Sequence, residues 1–244
     1  MNKKIVIGII ILVVIIAGFF GYRAISNNSK NVENVLVADN KNETSDKEEF
    51  AKPKENAVSN EVIEEVDEQD KELKILIAYF SRANENYNVG DVEVGNTEIM
   101  AGFIKDFYGD KADEFKIVPV KEYPLEYEAC VNFAKYEQEK NARPEFKEEV
   151  DISKYDVIFL GYPIWCGDVP MIINTFLEKY DFTGKKIELF NTHEGSGNSG
   201  TYSYISKKLK NADVNTNGLP LRGSLAREEK SRVTVEDWLR GLDY

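Results

Sequence analysis

The stretch YDVIFLGYPIWCGDVP, residues 155–170, decides how the whole chain is read. YDVIFL is a short, mostly apolar run with β-branched residues, the composition of a strand buried on both faces. GYPIWCGDVP (161–170) follows at once, with Trp165 beside Cys166 between Pro163 and Gly167. A bare turn needs the glycines and prolines but has no use for an indole. After Pro170, residues Met171, Ile172, Phe176, Leu177 and Tyr180 recur at helical spacing, with Asp168 as the expected N-cap. Strand, exposed turn and helix in that order make one βα unit.

The same unit repeats on either side. LKILIAYF (73–80) and KKIELFNTH (185–193) are further buried strands. Ile99, Met100, Phe103, Ile104 and Phe107 mark a helix, with Gly109 where its C-cap belongs. In TVEDWLRGL, Val235, Trp238, Leu239 and Leu242 share one helical face behind Thr234. EFKIVPV (114–120) reads as the second strand, and its Pro119 would lose a ladder bond in mid-sheet, so it belongs at an edge. VNTNGL (214–219) is a weak strand, also edge-like. The pattern predicts an α/β three-layer sandwich around a five-stranded parallel sheet in the order 2-1-3-4-5. Ligands bind in that order beyond the carboxyl ends of strands 1 and 3, where the winding reverses.

Upstream the material changes twice. Residues 5–20, IVIGIIILVVIIAGFF, carry no charge and only two glycines. Extended to Tyr22 the run gives roughly 27 Å of helix, enough to span a bilayer. An uncleaved anchor over 1–25 is expected, and a cleaved signal peptide is the alternative. Lys3, Lys4 and the amino terminus precede the span, against Arg23 and Lys30 after it, which predicts a single-pass protein with its domain outside the cytoplasm. Residues 26–72 are polar and acidic with few aromatics, a flexible linker reaching roughly 40 Å. Residues 73–244 then form one domain of ordinary size. It holds 29 acidic and 22 basic side chains, a net of −7 within the chain's −12. Such a domain argues against nucleic acid as a partner, and it fits either docking to a basic partner or simple solubility. The chain's two cysteines, Cys130 and Cys166, give no disulfide framework and no metal-ligand spacing.

Three loops should meet at the strand ends. SRANENYNVGDVEVGNTE, after strand 1, ends on Gly95, Asn96 and Thr97 at a helix start, where free N–H groups favour an anion. The second loop is GYPIWCGDVP. The third, NTHEGSGNSG (191–200), lets backbone approach a flat ligand closely. Its G-x-G-x-x-G (Gly195, Gly197, Gly200) is not a nicotinamide fingerprint, which belongs to the first strand–helix turn with an acidic residue ending the next strand. The only histidine, His193, has no G-x-S-x-G nucleophile elbow to serve.

Taken in order, these loops resemble those of the flavodoxin family over residues 73–244. S-R…G-N-T resembles its phosphate loop, and Y-P-I-W-C-G-D-V-P and T-H-E-G-S-G its two flavin-ring loops. The resemblance implies FMN as cofactor. Ser81, Arg82, Gly95, Asn96 and Thr97 would hold the phosphate. Pro163, Ile164, Trp165, Cys166 and Gly167 would flank the isoalloxazine on one side, and Thr192, His193, Glu194, Gly195, Ser196 and Gly197 on the other. Trp165 would then be exposed because a flat aromatic covers it, contributing about 1 kcal/mol beyond area burial. The alternative is that Trp165 packs under its own loop. Two departures stand out: residues 83–94, which hold Tyr87 and either cover the cofactor or bulge outward, intervene between Arg82 and Gly95, and Cys166 replaces an aromatic common in similar loops. No catalytic residue and no metal ligand is expected.

Three functions fit. The first is a membrane-tethered FMN protein passing electrons between redox partner proteins. The second is an FMN-dependent NAD(P)H oxidoreductase acting on a quinone-like acceptor. The third is a cofactor-free binding module of the same fold.

Overall fold

The computed structural model describes residues 73–242. The expected anchor and the linker over 26–72 lie outside the described residues. Among the described residues no helix is long and apolar enough to cross a membrane.

The chain runs β1 (Ile75–Tyr79), β2 (Asn84–Asn86), β3 (Gly90–Val92), α1 (Asn96–Tyr108), β4 (Ala112–Lys116) and α2 (Tyr127–Glu139). It continues through β5 (Val157–Pro163), α3 (Met171–Lys179), β6 (Lys186–His193), α4 (Thr201–Lys208), β7 (Asp213–Arg222), α5 (Gly223–Ala226) and α6 (Lys230–Arg240). Five strands pair in parallel in the order β4-β1-β5-β6-β7. With the small β2–β3 hairpin set aside, this is the expected 2-1-3-4-5.

Because successive residues of a strand face opposite sides, each central strand feeds two cores. Leu76, Ala78, Ile158, Leu160, Ile187 and Leu189 join one core, with Cys130 of α2, Ile172 of α3 and Ile205 of α4. Ile75, Ile77, Val157, Phe159 and Phe190 join the other, with Met100 and Ile104 of α1 and Val235 and Leu239 of α6. That is why β1 and β5 read as unbroken apolar runs: both of their faces are covered.

Several boundaries differ from the sequence expectation. The second strand ends at Lys116, short of Pro119. Past it the chain leaves the sheet and pairs with residues 145–147: Val120 N–H donates to Glu145 O (2.9 Å) and Lys147 N–H to Val118 O (2.8 Å), on either side of the proline that has no N–H to give. The last strand is longer than expected, reaching Arg222 through a register shift between Glu188 and Phe190. Asp168 does not cap α3, which begins after Pro170; its carboxylate accepts from Val169 N–H instead (2.7 Å). The final helix starts at Lys230, ahead of Thr234. Gly109 is the C-cap expected of α1, at φ 57° with its N–H on Lys105 O.

Candidate functional site

Three loops meet at the carboxyl ends of β1, β5 and β6, as the strand order requires. The first leaves β1 at Phe80 and returns at α1. The 83–94 insertion separates Arg82 from Gly95 in sequence but not in space: a Cβ at Gly95 would run into Ser81 Oγ and the backbone carbonyl of Arg82. The neck of the insertion is therefore shut. Ser81, Arg82, Gly95, Asn96 and Thr97 form one compact loop, and glycine at 95 is what lets the two ends touch.

Ser81 Oγ accepts from Glu98 N–H (3.1 Å), and Gly95 O accepts from Ile99 N–H (3.2 Å). The N–H groups of Asn96 and Thr97 remain as the open positive end of α1, the donor set an anion needs. Thr97 is 1% exposed, and its Oγ1 pairs with Thr192 Oγ1 at 2.8 Å, joining the first loop to the third. The Asn96 side chain accepts from Arg227 Nη1 (2.9 Å).

The second loop is a tight turn. Trp165 and Asp168 exchange both backbone bonds (2.9 and 3.0 Å) around Cys166 at φ 49° and Gly167 at φ 81°. Two successive positive φ values are those of a type I′ turn, ordinary for Gly167 and strained for a cysteine. Ile164 N–H donates to Thr192 O (2.8 Å), so this loop too is tied to the third. The Trp165 indole is half-buried. It meets Phe80 at 5.2 Å and 83°, and Tyr123 at 4.9 Å and 90°, both edge-to-face. Tyr123 is itself fixed by donating to the buried carboxylate of Glu137 (3.0 Å). Trp165 thus both packs on the core and lines the cleft.

In the third loop His193 Nδ1 accepts from Gly195 N–H (2.9 Å), which puts the proton of the neutral ring on Nε2. Burial, then the Arg222 charge, hold the imidazole below its usual pKa, so it is neutral at pH 7. The Glu194 carboxylate accepts from Ser224 N–H (2.8 Å) and from its hydroxyl (3.3 Å). Gly197 O accepts from the buried Asn191 side chain (3.2 Å).

A cleft of about 150 Å³ opens where these loops meet. Of the residues expected at the site, Arg82 and Asn96 line it from the first loop. Pro163, Ile164, Trp165 and Cys166 line it from the second, and Thr192, His193 and Glu194 from the third. Ser81, Gly95 and Thr97 lie behind it as the frame of α1's start. Gly167, Gly195, Ser196 and Gly197 shape the turns without lining the cleft.

The α2 wall went unread in the sequence, and for the insertion the sequence leaves covering the cofactor and bulging outward both open. Asn86 and Tyr87 reach the cleft from the inserted hairpin, and Tyr127, Cys130, Val131 and Ala134 from α2. A signal for α2 existed: Cys130, Ala134 and Glu137 are buried at helical spacing, but a glutamate in an apolar stripe masks the pattern. Burial pushes the Cys130 thiol up to about 11, against a lowering pull from Arg82, and burial also raises that of Cys166. Neither sulfur is a thiolate at neutral pH, so neither is an activated nucleophile.

Comparison with known proteins agrees with this geometry. Residues 74–241 match the flavodoxin family profile. Among solved structures, a Bacteroides eggerthii protein described as a flavoprotein is 28% identical with a TM-score of 0.55, covering 69% of this chain and 96% of its own. One from Bacteroides uniformis is 26% identical with a TM-score of 0.54, covering 70% and 99%. A flavoprotein from Lactobacillus acidophilus, in complex with FMN, is 21% identical with a TM-score of 0.49, covering 63% and 95%. None of the curated proteins matches. Strand order, three convergent loops and a match over most of its length place the chain in the flavodoxin family of FMN proteins.

Proposed function

We propose that residues 73–244 bind one FMN where the three loops converge and carry electrons between protein partners, with residues 5–20 holding the domain at a membrane. The observation that carries the cofactor assignment is the closed neck at Arg82 and Gly95. It restores a compact anion loop beside an aromatic-lined cleft despite the intervening insertion. Bound FMN would supply one- and two-electron chemistry.

The chain's own residues do the rest. The N–H groups of Asn96 and Thr97 would hold the phosphate at the positive end of α1. Trp165 and the 192–197 loop would flank the ring and exclude water from it. The acidic domain adds a long-range negative field that opposes further negative charge on the cofactor, so its potential should be low. The same charge suits a basic redox partner.

The experiment is equilibrium dialysis of the full-length protein against FMN and riboflavin. FMN should bind one to one and more tightly than riboflavin. Equal affinities in the wild type would remove the phosphate assignment. A second function, an FMN-dependent oxidoreductase acting on a quinone-like acceptor, draws on Tyr87. It is 53% exposed at the cleft and stacked on Tyr127, an apolar surface suited to a flat acceptor. Reduction of the bound flavin by NADPH alone in stopped flow would select it. For the membrane placement, accessibility in intact cells of a cysteine placed in the 26–72 segment is the deciding measurement.

A further inference from the structure

We infer that Arg82 is the clasp that closes the inserted hairpin against the start of α2, and is thereby a positioning residue for the cofactor rather than a ligand of its phosphate. This rests on the FMN assignment for its last step only. The guanidinium reaches three backbone carbonyls on two segments. Nε and Nη2 donate to Pro124 O (3.2 and 2.6 Å), Nη2 also to Leu125 O (2.5 Å), and Nη1 to Glu85 O (2.6 Å). Four of its five N–H groups are directed at carbonyls, which leaves one for any anion.

The hairpin needs such a fastening. β2 and β3 pair over three residues each, too little for a two-stranded ribbon to hold its place alone. Three further contacts join the same two segments. Glu85 N–H donates to Leu125 O (3.3 Å), the Glu85 carboxylate accepts from Tyr127 N–H (2.7 Å), and Tyr87 stacks on Tyr127 at 5.5 Å. From inside the hairpin Asn86 donates to the carbonyls of Arg82 (3.3 Å) and Asn84 (2.9 Å). Arg82 stands at the hinge of this cluster, where its rigid fork spans carbonyls from both sides. A lysine ammonium presents one point of charge and cannot bridge all three in that geometry. Because Asn86 and Tyr87 form a wall of the cleft, the clasp sets the cleft's width.

The test uses full-length protein with Arg82→Lys, Arg82→Gln and, as a milder variant on the same cluster, Glu85→Gln. In the absence of flavin, amide hydrogen exchange should quicken over residues 84–92 and 125–128 in all three and stay unchanged in β5 and β6. FMN and riboflavin should both weaken by about tenfold in the two Arg82 variants, with the ratio of their dissociation constants unchanged, and lysine should not rescue. A selective loss of FMN, or rescue by lysine, would make Arg82 a phosphate ligand and overturn the inference. So would unchanged exchange across the hairpin. If wild-type protein binds neither flavin the function falls, yet the exchange measurement still decides the clasp.

Discussion

On one side of the cleft, β5 and β6 enter their turns as partners in a ladder, Tyr162 opposite Asn191 and Pro163 opposite Thr192. Elsewhere a short hairpin is pinned to the start of α2 and the residues leading into it by one guanidinium, one carboxylate and a pair of tyrosines. The first wall is continuous with the sheet and shares its cooperativity; the second depends on a handful of side chains. A wall made by the sheet should keep its backbone shape when one side chain is substituted and lose it only when its backbone is forced apart. A wall made by side chains should open locally while the domain stays folded.

The largest effect should come where both walls meet. Gly95→Ala forces a Cβ against Ser81 and the Arg82 carbonyl, and a backbone carbonyl cannot rotate away as a side chain could. A loss of about 3 kcal/mol in denaturant unfolding is expected, together with loss of FMN binding. A variant of wild-type stability would mean the neck is not closed.

Trp165→Ala comes next. The indole packs edge-to-face on Phe80 and Tyr123, so truncation should cost about 2 kcal/mol even without flavin. It should also weaken FMN and raise its potential, read by spectroelectrochemical titration. Unchanged flavin properties with lowered stability would assign the ring to the core alone.

Tyr123→Phe should cost about 1–2 kcal/mol by removing the donor to Glu137, which is only 6% exposed. Burial raises the Glu137 pKa, while the Tyr123 bond pulls it down. A carboxyl whose folded pKa is raised favours the native state at low pH and loses that contribution as pH rises through the folded value. The variant leaves the ionised form without its donor, so its deficit should be greater at pH 7 than at pH 4. Thermal unfolding at the two pH values checks this.

Cys166→Gly should go the other way. It relieves a cysteine held at φ 49° and should stabilise by about 0.5–1 kcal/mol, provided the turn belongs to the sheet-built wall and keeps its shape. The smallest effect belongs to His193. Its folded pKa lies below the ordinary 6.5, so the unfolded chain takes up its proton first and stability falls as pH drops below that value. His193→Asn, which keeps an acceptor for Gly195 N–H, should flatten that part of the stability profile by a few tenths of a kcal/mol.

How much of this was legible follows from the range of each signal. β1, β5 and β6 announced themselves because burial on both faces leaves an unbroken apolar run. The two edge strands were placed correctly for the opposite reason: weak patterning and Pro119 exclude them from the centre. Their ends were misjudged, since the bonds of Val120 and Lys147 across to a distant segment carry no local periodicity. Of the residues expected at the site, those in the turns after β5 and β6 stood out in the sequence because glycine, proline and a tryptophan set between them are local signs. The α2 residues were missed, and the sequence alone does not choose between an insertion that covers the cofactor and one that bulges outward, because nothing near either segment says that it faces a cleft.

By itself, then, the sequence determined the alternation of strands and helices, the strand order, and the three loops that this order gathers at one end of the sheet. Each rests on short-range periodicity or on the fixed chemistry of glycine and proline. Only the tertiary structure decided that the ends of the insertion close on each other, that the hairpin walls the cleft, and that Arg82 grips carbonyls 42 and 43 residues away. A backbone carbonyl is the same group at every residue. Which one a guanidinium finds is settled by where the fold carries it.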